Sequence, residues 1–410
     1  MSRDKTNIVF SLYFVFILLS LLMSNIIGRG SIIMHMGYFI SLLYLFLSFG
    51  SKLGHVDKKI FVYGLLIGFS GLLSLFTHCE HAFDSLRSIG LNINIVVPIL
   101  YSIIIGINKR KKIPVETIDN ILSNYSIISM VIVFIVLIVN FSSLNRILSI
   151  ETNAYAVALK GFFPNKNMFG DFVAMGSVIS VYIFSKKRTK LSLCAMLLMY
   201  GMTVISFSRA ALLFLTVFTV LYVGIGIKDD NSLIGKSNTK MLRRMFFILV
   251  IILALLFIVN PSLRVFVIKK VLRINVGDAG RTMRHIEGMD LIKNGGMIET
   301  LFGYGISELE FRNPEDLHST MQNVFLTGGL FKTLLFMYGL WLSLVNIIHM
   351  KRSLLSRFCL CCLVSYIVFS FFETVIYFES GFFSYEILFT ILFIPLCVDR
   401  REFNLDEEAD

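Results

Sequence analysis

Hydrophobic residues fall in long blocks along this chain, separated by short polar punctuation, with neither strict alternation nor a regular polar face. Twelve blocks have helical length: 7–27, 32–50, 60–77, 91–107, 121–140, 168–184, 191–207, 210–227, 245–260, 324–347, 358–377 and 382–398. Apolar runs of about 18 or more residues with few charges match the ~30 Å hydrocarbon core of a bilayer. A soluble helical protein would need a polar face on each helix, and most of these blocks lack one. One long polar interruption breaks the series, from Gly277 to Phe331.

Composition strengthens the picture. Of 410 residues, 56% are hydrophobic and 16% charged, with a mean hydropathy of +0.78. Soluble domains hold roughly 45–50% and about 25%. The first block follows Arg3 and Lys5 as a signal peptide would, yet it is too long for an h-region. Asn25–Ser31 offers no small-x-small cleavage site, so a retained first helix is expected. The expected fold is an all-α polytopic membrane protein of about twelve transmembrane helices with one large extracytoplasmic loop.

The net charge of +11 does not indicate nucleic acid, because the basic residues cluster at the ends of hydrophobic blocks and form no stripe with interleaved aromatics. They set topology instead. With a cytoplasmic N-terminus, the inner segments carry Lys52, Lys58, Lys59, Lys109–Lys112, Lys186–Arg188, Lys190, Lys228–Arg244, Lys351, Arg352, Arg357, Arg400 and Arg401. The outer turns carry only Arg29, Arg87, Arg146, Lys160, Lys166 and Arg209. Both termini are therefore expected in the cytoplasm. The chain divides into helices 1–9 (1–260), an extracytoplasmic loop (261–323), helices 10–12 (324–398) and a cytoplasmic tail (399–410). No internal repeat or separate soluble domain appears.

Polar chemistry concentrates outside. In the loop, Ile286, Met289 and Ile292 recur at helical spacing until Gly295-Gly296, which predicts a short amphipathic helix. Arg281, Arg284 and His285 share one face of it, and paired guanidiniums suit a phosphate or pyrophosphate. Ion pairing with the loop's own Glu287, Asp290 and Glu299 is the plainer alternative. Arg209, in the Ser206–Ala210 stretch SFSRA, is expected in a tight outer turn at the interface, since an arginine at mid-bilayer costs about 2.5–3.5 kcal/mol. It would bind substrate there or simply snorkel to lipid headgroups. His318, just before a hydrophobic block, is the candidate general base.

Other groups weigh less. His78-Cys79-Glu80-His81 crowds metal-type ligands together but lacks a third well-spaced one, and Glu308-Leu309-Glu310 lacks an Asp-x-Asp partner, so no metal and no cofactor is expected. Only Cys79 of six cysteines falls on the outer side, so no disulfide is expected. The intramembrane charges Asp171, Lys332, Glu373, Glu379 and Glu386 lie near outer helix ends, unlike the midplane carboxylates of a proton-coupled transporter.

Taken together, SFSRA, a loop opening on Gly280-Arg281, the Gly303–Gly305 stretch GYG, and Leu317-His318 ahead of TGGLFKTLL resemble the O-antigen polymerase and ligase superfamily. The Gly161–Asp171 stretch GFFPNKNMFGD resembles the Asn-rich lead-in to an earlier helix of that family, and Arg87 an outer-face arginine of some members. Ser319 stands where members often have Asn, and Ala210 where Gly is commoner. The resemblance implies a GT-C-like fold and an inverting, metal-independent glycosyltransferase acting on polyprenyl-pyrophosphate-linked glycans as donor and acceptor. The site would be on the outer face of a bacterial inner membrane, and a chain-length regulator and a flippase are the implied partners.

In that reading His318 deprotonates the attacking sugar hydroxyl, and Arg87, Arg209, Arg281 and Arg284 meet the pyrophosphate charge. Polymerase is favoured over ligase, which would transfer the polymer to lipid A-core. A flippase of lipid-linked sugars is the competing reading from another class.

Overall fold

A computed structural model describes residues 58–77, 113–141, 159, 163, 165–225, 244, 258–261, 265, 267–268, 281–305, 318–350, 353–375 and 387–398. The helices expected at 7–27, 32–50 and 91–107 lie outside these residues, as does most of 245–260. Among the described residues the backbone is helical, with no strand and one isolated bridge, Ile113 to Val398. The helices are α1 (Lys58–Thr77), α2 (Val115–Val139), α3 (Lys166–Lys187), α4 (Lys190–Ile205), α5 (Arg209–Ile225), α6 (Arg281–Asn294), α7 (Met297–Phe302), α8 (Thr320–His349), α9 (Leu354–Phe369) and α10 (Ile394–Cys397). A π-helical segment, Leu388–Phe393, leads into α10.

Three described helices are long and apolar enough to cross a membrane: α2, α3 and α8. Two show a broad apolar face to the outside. Phe134 and Ile138 of α2 and Leu334 and Trp341 of α8 are more than half exposed, as suits side chains solvated by lipid.

The described residues fall into two compact units, one built from the chain up to Ile118, Gly280–Lys351 and Tyr366 onward, the other from Asp119–Ala279 and Arg352–Ser365. In the second unit α3 is the core, with every residue from Phe169 to Ser185 buried against α4 and α5. Its start is set by Asn165, whose side chain accepts the Met168 N–H at 2.9 Å, and its end by Arg188 in the left-handed conformation. The hydroxyls it buries are paired: Ser180 with Ser126 at 2.7 Å, and Ser177 with Thr203 at 3.2 Å and the Val173 carbonyl at 2.7 Å. Buried Asp119 of α2 takes Tyr182 and Lys186 of α3.

In the first unit α8 is the hub, packed by α1, α6, α7, the π segment and α10. Its 30 residues exceed what a bilayer needs, and Gly329 breaks it at φ 63°, ψ −162°. The 20 residues beyond the break would span about 30 Å. Ile113 N–H donates to the Cys397 carbonyl at 2.7 Å, tying the start of α2 to the end of α10.

Two expectations change. The block 358–377 is not one helix: α9 stops at Phe369, and residues 370–375 form a turn that is bonded to the start of α8. α2 begins at Val115 rather than near 121, because the Pro114 carbonyl accepts the Thr117 and Ile118 amides and starts the helix early.

Candidate functional site

His318 lies one residue before Ser319, the N-cap of α8, whose side chain accepts the Gln322 N–H at 3.4 Å. Its backbone is left-handed at φ 53°, a conformation that a side chain with a Cβ occupies only at a cost of about 1–2 kcal/mol. The surrounding bonds hold it there. Thr320, fully buried, donates its N–H to the carbonyls of Ser370 (2.8 Å) and Glu373 (3.1 Å). Its hydroxyl donates to the Glu373 carbonyl at 2.7 Å and accepts the Val375 N–H at 2.9 Å. Tyr366 adds its hydroxyl to the Val375 carbonyl at 2.7 Å. The turn after α9 is thereby locked onto the first turn of α8.

This lock sets Glu373 beside His318, with Oε1 3.4 Å from Nδ1. The carboxylate is almost wholly buried while the imidazole keeps partial access to solvent. A carboxylate can only accept, so Nδ1 bears the proton and Nε2 is the ring's proton-accepting nitrogen in the neutral form. Sequence reading had noted Glu373 as an intramembrane charge and missed it as the partner of His318. Fifty-five residues separate the two, and no spacing rule connects them.

α6 reaches the same helix turn. Gln322 donates Nε2–H to the His285 carbonyl at 3.2 Å, which fixes the orientation of its amide. Oε1 then faces His285 Nδ1 at 2.8 Å and accepts its proton. Arg284, the neighbouring residue, is half-buried. Arg281 is the first residue of α6, on the same face by register, and Arg87 lies outside the described residues. The expected apolar stripe is split: Ile292 packs toward the Tyr304–Leu326 cluster, Ile286 and Met289 are half exposed, and Arg284, His285, Gly288 and Leu291 turn toward cover. The polar bracket to Gln322 holds α6 in this rotation.

The GYG and TGGL motifs meet. A Cβ on Gly303 (φ 77°) would lie 2.4 Å from the Gly328 nitrogen, and one on Gly329 would lie 2.4 Å from the Leu301 carbonyl. The regular helical partner of the Leu326 carbonyl would be the amide of residue 330, just past the break. Tyr304 N–H occupies that carbonyl at 2.7 Å. The Tyr304 ring packs on Leu326, Leu291 and Ile292, and its hydroxyl donates to the Leu291 carbonyl at 2.9 Å. Lys332, buried in the turn below, places Nζ 3.0 Å from the Thr327 hydroxyl.

Arg209 belongs to the second unit. Ser206, Phe207 and Ser208 form the expected tight turn between α4 and α5, buried within this unit, and Phe207 is left-handed at φ 53°. Ser208 caps α5 by accepting the Ala211 N–H at 3.4 Å, and Arg209, first in the helix, is half-buried. Gly170 of α3 packs on this turn so closely that a Cβ would fall 2.4 Å from Ser208 Cβ.

Among the described residues no three His, Cys, Asp or Glu side chains gather as a metal-binding group. His78–His81, Glu308, Glu310, Glu379 and Glu386 lie outside them, as does Cys79. The five described cysteines are free thiols. No family model matches the chain, and no curated protein matches it.

Proposed function

We propose that this chain is an inverting glycosyltransferase that polymerises polyprenyl-pyrophosphate-linked oligosaccharide repeat units on the extracytoplasmic face of a bacterial inner membrane. The observation that carries the reading is the His318–Glu373 pair at the start of α8. A carboxylate on Nδ1 orients the imidazole so that Nε2 can accept a proton, which is what a general base for a sugar hydroxyl requires. As the acceptor hydroxyl attacks the anomeric carbon, its proton passes to His318 Nε2. The bond from the anomeric carbon to the pyrophosphate oxygen breaks, and the lipid pyrophosphate leaves with the electron pair.

That leaving group must be met by fixed cations. Arg284 is half-buried on the helix that Gln322 brackets, and Arg281 opens that helix. Arg209 and Arg87 are the further candidates for that charge on the family resemblance alone. The twelve-helix topology with cytoplasmic termini, and partnership with a chain-length regulator and a flippase, belong to the same proposal.

The test is purified protein with one polyprenyl-pyrophosphate-linked repeat unit in EDTA, read by gel or mass analysis. A product ladder is expected, and His318→Ala should lower its rate by roughly 10²–10⁴-fold. Transfer seen only when lipid A-core is added would make the chain a ligase. Movement of the lipid across liposomes with no new glycosidic bond would make it a flippase. Full activity in His318→Ala would remove the base assignment.

A further inference from the structure

Arg357 is a buried charge that the candidate site does not use. It lies one turn into α9, within the second unit, and keeps only 8% of its surface. Its guanidinium carbon sits 5.9 Å from the centre of the Tyr222 ring on α5. That contact engages the flat face of the guanidinium and leaves the N–H groups, which radiate in its plane, to find acceptors elsewhere. Nε and Nη1 are sealed from solvent and have no hydrogen-bond partner among the described residues.

The acids of the unit do not supply one. Asp119 gives one oxygen to the Tyr182 hydroxyl and the other to Lys186 Nζ. Asp171, the other buried acid among the unit's described residues, stands roughly 16 Å farther along α3 from Tyr182. The guanidinium and the Asp119 pair share one end of the bundle: Tyr182 packs on Phe358 at 4.9 Å, Phe358 meets Phe218, and Phe218 stacks on Tyr222. α3 runs unbroken for 22 residues, about 33 Å, so this end of it stands at one edge of the hydrocarbon. Lys187, Arg188 and Lys190 are exposed just beyond. A buried guanidinium without an acceptor is strongly destabilising, and an oxyanion offers what its fork lacks.

We propose that Arg357 anchors a phosphate-binding site at this end of the second unit, taking the phosphate of a lipid headgroup or free phosphate. A phosphate presents several charged oxygens to the fork, and the exposed cations at the same end favour a multiply charged oxyanion over a single carboxylate. The site is independent of the glycosyl-transfer reading, since the Ser206–Ser208 turn that carries Arg209 packs on Gly170, near the other end of α3.

The test compares the full chain, purified in detergent and stripped of phospholipid, with Arg357→Met by thermal unfolding. Without phosphate the variant should melt at the native temperature or above it, because it removes a buried charge that has no partner. Inorganic phosphate should then raise the native melting temperature by several degrees and leave Arg357→Met unmoved. Native mass spectrometry of both chains released from phosphatidylglycerol nanodiscs separates the sources. One retained phosphatidylglycerol that Arg357→Met loses assigns the site to a lipid headgroup; equal retention beside an intact phosphate response assigns it to free phosphate. Three results would overturn the proposal. Arg357→Met could be destabilised equally with and without phosphate, which would leave the guanidinium only its packing on Tyr222. Acetate at matched ionic strength could raise the native melting temperature as much as phosphate does. Or the native chain could show neither a phosphate response nor an Arg357-dependent lipid.

Discussion

Replacing Gly303 by alanine tests the junction on which the candidate site rests. At φ 77°, ψ 177° Gly303 occupies a region that is essentially closed to residues with a Cβ. That conformation alone would cost alanine about 1–3 kcal/mol. The new methyl would also meet backbone, 2.4 Å from the Gly328 nitrogen and 2.6 Å from the Thr327 carbonyl carbon, and backbone cannot rotate away as a side chain can. Relief requires the loop to lift from α8, which breaks the Tyr304 N–H to Leu326 bond and loses a further ~0.5–1.5 kcal/mol.

The sum, roughly 2–4 kcal/mol, acts locally. Opening of the 297–305 segment should become about 30- to 1,000-fold more frequent while α8 stays inserted. Hydrogen exchange read by mass spectrometry on peptides spanning Met297–Gly305 measures this directly, with limited proteolysis as a second readout. Gly201→Ala is the control: nothing lies within 4 Å of its Cβ position in mid-α4, so stability should rise slightly. Native-like protection of Tyr304 in Gly303→Ala would refute the interlocked-glycine account.

Three further substitutions separate chemistry from architecture. Glu373→Gln keeps the backbone carbonyl that receives Thr320 and removes only the charge beside His318. Glycan transfer should fall roughly tenfold or more, short of the ~10²–10⁴-fold for His318→Ala, with thermal stability unchanged. Thr320→Val keeps shape but strands the Val375 N–H and takes one of two donors from the Glu373 carbonyl; a loss of about 1–3 kcal/mol is expected, read as a lowered melting temperature. Gly170→Ala should push the Ser206–Ser208 turn off α3 and lower the melting temperature by several degrees; an unchanged value would mean the turn is not held by that contact.

What the sequence made legible follows from what its patterns encode. Long apolar blocks located α1, α3, α4, α5 and α8 to within a few residues, because hydrocarbon length constrains them tightly. Gly295-Gly296 correctly separated α6 from α7. The block 358–377 misled because Phe371 and Phe372 continue the hydrophobic run while the backbone has already turned at Ser370 to meet Thr320. Hydropathy registers side chains and is blind to where main-chain bonds go. In α6 the apolar positions are split: Ile292 packs toward Tyr304 while Ile286 and Met289 stay half exposed, and a two-bond bracket from Gln322 holds the helix.

The first ten residues of α8 show why the motif residues should not all be read as catalytic. Gln322 serves α6, Thr320 serves the turn after α9, Leu326 serves Tyr304, and Gly328-Gly329 admits Gly303. Each of these contacts engages a backbone group or a small residue, so each explains its own motif position through packing. His318 and Glu373 differ. The Glu373 backbone is committed to the lock, and the imidazole and the carboxylate are turned toward each other, one reaching solvent and the other sheltered from it. Histidine at 318 occupies a left-handed backbone that a glycine could adopt without strain, as Arg188 and Phe207 do elsewhere in the fold. In the proposed reading that position carries the imidazole, and the surrounding glycines and hydroxyls are the frame that holds it in place.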